Sequence, residues 1–150
     1  MSLAPGPTEL RSLWPLFQAH RQFDLGMVLS SAVIDAIPPS DVGALGVHHA
    51  GCWECDLSND ALTWSGGVND IFGLPRGARV SRTEALAFYS ERSRAALERL
   101  RSYAIRHKRG FTLDIEVRSA TGDDRWVRLL AGTVCEDDRV VRIHGLKIVI

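Results

Sequence analysis

One stretch of the chain, residues 51–74, constrains the fold more than any other. Apolar and acidic residues alternate between positions 53 and 57, which is the period-two pattern of a half-buried strand. Residues 58–60 are all turn-forming, and a second alternating run follows them. Ser65 then stands where its hydroxyl can accept from a free amide of a helix start, and Gly73 stands where a left-handed C-cap is expected. The stretch therefore predicts a hairpin followed by a short helix.

The rest of the chain predicts two more helices and three more strands. Ser81 and Glu84 have the spacing of a capping box that opens a short helix. A long helix is predicted from Ser90 to about Arg109, with Gly110 as its closing residue. Three strands are then predicted over residues 111–118, 125–136 and 139–150. This order predicts an α+β domain, an antiparallel sheet with its helices gathered on one face.

The N-terminal third carries a long apolar stripe. Residues 8–37 are predicted to be helical, in one or two pieces around Pro15. The stripe consists of Leu16, Phe17, Phe23, Met27 and Val33. The last two strands are apolar on both faces, so a second sheet face also needs a cover. We expect residues 1–47 to form a helical extension that covers this face and builds a homodimer, although a cover from the same chain would satisfy both surfaces without a dimer.

Several segments resemble a PAS domain. Residues 51–57 read Gly-Cys-Trp-Glu-Cys-Asp-Leu and residues 64–65 read Trp-Ser, similar to the subgroup whose first strand is Gly-x-Trp-Glu-x-Asp-Leu. Residues 111–118 resemble the family's F-x-x-E-x-R strand, and residues 123–127 resemble its Arg-Trp-Val strand. Residues 143–145 resemble its last strand, so the likeness covers residues 48–150.

The resemblance implies a five-stranded antiparallel sheet in the order 2-1-5-4-3, with a cavity between the sheet and the long helix. It also implies a bacterial-type sensory or protein-interaction module that works as a homodimer in signal transduction. The domain would then occupy residues 48–150 and pair through the N-terminal segment.

Aromatic and apolar residues predicted on the strands and helices are candidates for a pocket lining. They are Trp53, Phe72, Phe88, Leu97, Leu100, Ile115 and Trp126. The same side chains are equally suited to fill a solid core, and both interpretations stay open at this point. Trp53 and Trp126 each lie in an alternating strand run and are predicted to be core residues.

The cysteines and histidines argue against a bound cofactor. Cys52 and Cys55 have the spacing of a redox or zinc pair, but residues three apart on a strand point to opposite faces. Haem-binding relatives carry a histidine on the long helix, where this chain has only His107 in the last predicted turn. Residues 68–73 match the region that holds the flavin-reactive cysteine in light-sensing relatives, and no cysteine is present there. We therefore expect no haem, covalent flavin or zinc.

No catalytic set stands out in the sequence, so we interpret the chain as non-enzymatic. Two alternatives stay open. One is a structural dimerisation module with a filled core. The other is a small α+β pocket enzyme, which would need a titratable group inside the pocket.

Charge and cysteine content limit which partners and which cellular compartment we expect for this protein. Basic and acidic residues number 18 each, so there is no global attraction to nucleic acid, and no apolar run reaches membrane-spanning length. No secretory signal is recognisable, and three cysteines form no natural disulfide framework, so we expect a cytoplasmic protein. The sequence stops at Ile150 with no effector domain, so we expect output through another chain or through a missing part of a longer protein.

Overall fold

The computed structural model describes residues 49–150, together with the backbone of two short N-terminal strands. The strands are β1 (Gln22–Phe23), β2 (Gly26–Leu29), β3 (Ala50–Asp56), β4 (Ala61–Trp64), β5 (Gly110–Arg118), β6 (Asp124–Glu136) and β7 (Arg139–Val149). The helices are α1 (Gly66–Phe72), α2 (Arg82–Leu86) and α3 (Glu91–His107), all between β4 and β5.

The described strands form one antiparallel sheet in the order β1-β2-β5-β6-β7-β3-β4. Five of these strands follow residue 49. If they are numbered 1 to 5 along the chain, their order in the sheet, counted from the β4 edge, is 2-1-5-4-3. The predicted α+β architecture and strand order are therefore confirmed. The first and last strands of this five-stranded unit in sequence, β3 and β7, are neighbours in the sheet. The last strand, β7, is the central one, because it pairs with β3 on one side and with β6 on the other.

The strand register separates an inner face from an outer face. Alternate residues of β5 from Phe111 to Val117 lie on the inner face, opposite Leu129 and Val127 of β6. These residues form one buried core with the apolar sides of α1 and α3. The buried helical members are Val68, Ile71, Phe72, Ala96, Leu97, Leu100 and Ala104. The described helices thus gather on one face, as the sequence predicts, and each fully buried large apolar side chain contributes about 1.5–3 kcal/mol to folding.

Helix α1 docks directly against the start of β3. A Cβ on Gly67 would lie 2.0 Å from the carbonyl oxygen of Ala50, so only glycine allows this approach. The expectation that the Ser65 hydroxyl caps α1 is wrong, because that oxygen accepts instead from the Cys52 amide at 3.0 Å. Gly73 does end the helix in the left-handed conformation, with φ of 71°.

The other helix ends follow the sequence signals with one exception. Ser81 and Glu84 form the predicted capping box of α2. At the end of α3 the left-handed residue is Lys108, with φ of 55°, and not Gly110. The difference arises because Gly110 is already part of β5, where it pairs with Leu29 of β2.

The N-terminal strands correct part of the predicted helical extension. Phe23 lies in β1 and Met27 lies in β2, so neither belongs to a helix. The edge of β5 offers unpaired backbone groups, and pairing with β2 satisfies them. Gly26 also lowers the helical propensity of this segment. The predicted stripe residues Leu16, Phe17 and Val33 lie outside the described residues, and so does the predicted helical cover.

The outer face is buried at its centre. Leu130 and Leu146 lie there side by side, and Cys52 and Ile148 pack against them. This agrees with the two-sided apolar pattern of the last strands. The side chains of Asp114 and Arg128 form a buried ion pair on the same face, with nitrogen–oxygen distances of 2.7 and 2.9 Å.

Candidate ligand site

A small cavity lies between the inner face of the sheet and helices α2 and α3. Its volume is about 50 Å³, room for a few water-sized groups and well below the ~300–1,000 Å³ of a typical drug-sized pocket. The hairpin contributes Trp53, Cys55, Leu62 and Trp64 to its lining. The helical segment contributes Arg82, Ala85, Leu86, Tyr89, Leu97 and Arg101, and the other strands contribute Phe111, Leu129, Ile143 and Lys147.

Lys147 is the unusual member of this lining. It sits near the C-terminal end of β7 on the inner face, opposite Leu129 of β6, and is only 4% exposed. Among the described residues, none forms an ion pair with its amine. Burial lowers the pKa of Lys147 to about 7, because the apolar surroundings penalise the charged amine, and Cys55 opposes this only in part.

Two tryptophans form the wall beside this amine. Trp53 and Trp64 are directly opposite each other on β3 and β4. The Nζ of Lys147 lies 4.5 Å from the ring centroid of Trp53 and 5.8 Å from that of Trp64. Trp53 donates its Nε1 proton to the Leu146 carbonyl at 3.3 Å. The Nε1 of Trp64 is buried and finds no hydrogen-bond acceptor in the described part of the chain.

Two arginines in the lining are held by carboxylates. Arg82 of α2 forms an ion pair with Glu98 of α3. Arg101 of α3 forms an ion pair with Asp60 in the β3–β4 turn, at 3.1 Å. These pairs tie both helices to each other and to the hairpin, and they compensate the arginine charges. The charge of Lys147 has no such compensation within residues 49–150.

The remaining titratable lining groups are neutral near pH 7. Burial raises the pKa of the Cys55 thiol and that of the Tyr89 hydroxyl, because both charged forms are desolvated. Within the described lining, Lys147 is thus the group whose pKa is shifted toward neutrality. The cavity combines apolar walls with hydrogen-bond donors, and none of its described lining residues is a carboxylate.

The structure brings together some of the candidate pocket residues and separates others. Trp53 and Leu97 line the cavity. Phe72, Leu100 and Ile115 are buried in the surrounding core, and Phe88 packs against Phe72 at a centroid distance of 5.4 Å.

Trp126 neither lines the cavity nor belongs to the core, so its predicted role is wrong. It is half-buried and lies across from Glu116 on the outer face, because its neighbour Val127 occupies the inner position. Trp53 is also only partly buried, although it packs against the core cluster.

The sequence interpretation missed Lys147, although a signal was present. Inner positions of β7 repeat every second residue, from Ile143 through Gly145 to Lys147 and Val149. A lysine in that series places an amine on a face that is otherwise apolar. The apolar residues on both sides of Lys147 obscured this because they read as a continuous hydrophobic run.

The described cysteines and histidines are distributed over both faces of the sheet and helix α3. Cys52 packs with the outer-face cluster while Cys55 lines the cavity, so the prediction that the two sulfurs point to opposite faces is confirmed. His144 stands on the outer face, opposite Glu54, and His107 is exposed with its ring 4.3 Å from that of Tyr103. Across the described residues, no three histidine, cysteine or acidic side chains are grouped to hold a metal ion. Nor does any described helix have the length and apolarity needed to cross a membrane.

Comparison with known proteins identifies the fold. No protein-family model matches the sequence, and no curated protein matches it either. Among solved structures, the chain is similar to the N-terminal domain of a diguanylate cyclase with a PAS/PAC sensor from Marinobacter aquaeolei. The TM-score is 0.61 and the identity 15%, over 67% of this chain and 94% of that one.

A sensory box histidine kinase/response regulator from Burkholderia thailandensis matches with a TM-score of 0.61 and 18% identity, over 75% of this chain and 85% of that one. An RNA-binding light-oxygen-voltage receptor matches with a TM-score of 0.60 and 16% identity. In that case the match spans 67% of this chain but only 29% of the receptor. The chain therefore has the PAS fold, as the sequence resemblance implies.

Proposed function

We propose that this chain is a non-enzymatic sensory module in signal transduction, and that occupancy of the cavity beside Lys147 is the signal. One observation carries the proposal: a buried amine without a counter-ion among the described residues faces a small cavity. The structural similarity to domains of proteins named as sensors supports it at the level of fold.

The buried amine gives a physical reason for a response to ligand. An unpaired charge in an apolar site is unfavourable, so the empty protein keeps Lys147 largely neutral above pH 7. A ligand that pairs with the amine removes this penalty and favours the packing in which the cavity is open to it. Such differential affinity for two packings is what a ligand needs to shift a protein between states.

The position of the amine connects the cavity to the rest of the sheet. Lys147 lies on β7, which pairs with both β3 and β6 at the centre of the five-stranded unit. Its neighbours Leu146 and Ile148 point to the outer face and pack in the cluster there. A shift of β7 at Lys147 would therefore move the outer face, where we propose that a partner or a dimer mate reads it.

The chemistry of the lining favours a sensor over the small pocket enzyme. General acid–base catalysis needs groups whose pKa lies near the working pH. Burial moves the pKa of Cys55 and of Tyr89 further above neutral pH, so Lys147 has no second group with a pKa near the working pH among the described lining residues. A filled structural core is the other alternative, and the cavity itself argues against it.

The proposal includes a homodimer, an output through another protein or domain, and a cytoplasmic location. The apolar N-terminal stripe supports the dimer. Three unpaired cysteines support a reducing compartment, since Cys52, Cys55 and Cys135 are all free thiols.

The test is a binding screen on the full chain, with a variant whose cavity is filled. Ala85 lines the cavity from α2, so Ala85→Leu places extra carbons in the space a ligand would occupy. A panel of small metabolites would be screened by thermal shift, and hits would be measured by calorimetry. We expect at least one compound to bind the wild type and to lose affinity in a folded Ala85→Leu protein. Equal binding to both proteins, or no binding to either, would overturn the proposal.

A further inference from the structure

We infer that the cavity takes a small organic acid, with one carboxylate and a short apolar body, and that Lys147 and Trp64 recognise the carboxylate. This inference rests on the proposed function and names the chemistry of its ligand.

Two donors on the cavity wall differ from the rest of the lining: a buried indole proton that finds no acceptor and a buried lysine that forms no ion pair among the described residues. Lys147 offers an amine with no ion-pair partner, and Trp64 offers an indole proton with no hydrogen-bond acceptor. Buried polar groups are almost always hydrogen-bonded and buried charges are almost always paired, so the indole points to a missing acceptor and the amine to a missing anion. Both residues line the same cavity, and Nζ lies 5.8 Å from the Trp64 ring centroid. A carboxylate has two oxygens and only accepts, so it can serve both donors at once.

The lining and the volume of the cavity determine the chemistry and the size of the rest of the ligand. Away from Lys147 the lining includes Leu62, Leu97 and Phe111, which suit an apolar body. A cavity of about 50 Å³ holds only a few heavy atoms, so the body is a short aliphatic chain. The ligand class is therefore a short-chain monocarboxylic acid.

Other ligand classes fit the same residues less well. A cationic ligand would need the open face of a tryptophan, but Lys147 already lies 4.5 Å from the Trp53 centroid. A second positive charge there would also be repelled by the protonated amine of Lys147. A neutral amide or alcohol can accept from Trp64 but forms no charge-assisted bond with the amine, so it gains less.

When a carboxylate binds above neutral pH, Lys147 should take up a proton. The charged groups facing Lys147 are Arg82 of α2 and Arg101 of α3, and each is paired with a carboxylate. Cys55 of β3 and Tyr89 after α2 are neutral near pH 7, since burial raises the pKa of each. An ion pair with the ligand favours the protonated amine, so binding raises the pKa of Lys147 from about 7. The affinity for a carboxylate should therefore fall as the pH rises above about 7.

The experiment uses sodium butyrate as the probe, with butyramide and butylamine as matched neutral and cationic compounds. Calorimetry on the full chain should show butyrate binding at pH 7, with at least about tenfold weaker binding of the other two. Lys147→Met keeps the length and apolar stem of the side chain and should weaken butyrate binding at least about tenfold. Trp64→Phe removes the indole proton but keeps a ring to stack on Phe72, and should weaken butyrate binding severalfold.

The chain supplies its own control for the lysine. It contains two lysines, and the other, Lys108, is exposed and paired with Asp138. Lys108→Met should leave butyrate binding unchanged. Proton uptake can be measured on the wild type alone, by titrating butyrate at pH 8 in buffers of different ionisation enthalpy.

The outcomes separate this inference from the proposed function. If butyramide binds as tightly as butyrate, or Lys147→Met binds butyrate normally, the carboxylate inference is wrong while a sensory cavity stands. If butyrate fails but a compound without a carboxylate binds and is excluded by Ala85→Leu, the same conclusion holds. If no compound of any class binds the wild type, both proposals fail.

Discussion

The Nζ of Lys147 lies 4.5 Å from the ring centroid of Trp53, on the face of the sheet that carries the helices. Attraction between a desolvated cation and an aromatic face is worth about 2 kcal/mol. Lowering the pKa of a lysine from 10.5 to about 7 corresponds to roughly 5 kcal/mol against the charged form. Desolvation therefore outweighs the tryptophan, and the amine is held near the point at which it loses its proton.

This balance predicts a pH dependence of stability. The folded pKa of Lys147 lies below the unfolded value, so the unfolded chain binds more protons between about pH 7 and 10.5. The free energy of unfolding should therefore rise with pH across this window. Between pH 6 and 9 the contribution of Lys147 should reach about 2 kcal/mol, measured by urea titration as the difference between wild type and Lys147→Met.

Lys147→Met should also be more stable than the wild type at pH 6, because it removes a buried charge. Lys108→Met serves as the matched control and should keep the pH profile of the wild type. The same pH profile in Lys147→Met and wild type would show that the amine is solvated in the folded protein.

The two tryptophans that looked alike in sequence should differ in their effect on stability. Trp53 packs against the core cluster and lines the cavity, whereas Trp126 is half-buried on the outer face. We expect Trp53→Ala to cost about 2–4 kcal/mol and Trp126→Ala to cost about 1 kcal/mol. Denaturant titration of both variants gives the comparison, and an equal or larger loss for Trp126 would contradict the placement of the rings.

The buried ion pair of Asp114 and Arg128 should be sensitive to the loss of one partner. The side chains of both residues are nearly inaccessible, with 2% and 7% exposed. Asp114→Leu leaves a buried guanidinium with its main partner removed and should cost about 3–5 kcal/mol. The double variant Asp114→Leu with Arg128→Met should recover much of this loss. The exposed pair of Arg118 and Asp124 is the control, and Asp124→Leu should change stability by less than about 1 kcal/mol.

The proposed homodimer makes a prediction about mass in solution. We expect the full chain to be dimeric at micromolar concentration in analytical ultracentrifugation. Leu16→Glu with Phe17→Glu places charges in the apolar stripe and should shift the equilibrium to monomer. A wild type that stays monomeric at high micromolar concentration would contradict the dimer, as would a double variant that stays dimeric.

The sequence by itself determined most of the local structure from residue 49 onward. Alternating residues such as Phe111 to Val117 define which strand positions face the core, because side chains on a strand have a period of two. The Ser81–Glu84 capping box and Gly73 mark helix ends through hydrogen bonds and backbone angles that involve only neighbouring residues. Signals of this kind are complete within a few residues, and the order of the resulting elements is enough to indicate the fold.

Tertiary structure decided the features that depend on residues far apart in the chain. The segment with Phe23 and Met27 lies in strands because the edge of β5, over eighty residues away, offers its backbone groups. The charge state of Lys147 depends on Trp53 and on helices α2 and α3, which enclose the amine without supplying a carboxylate. Desolvation and cavity shape result from packing between distant segments, so a pattern along the chain can place the lysine on a face but cannot show what surrounds it.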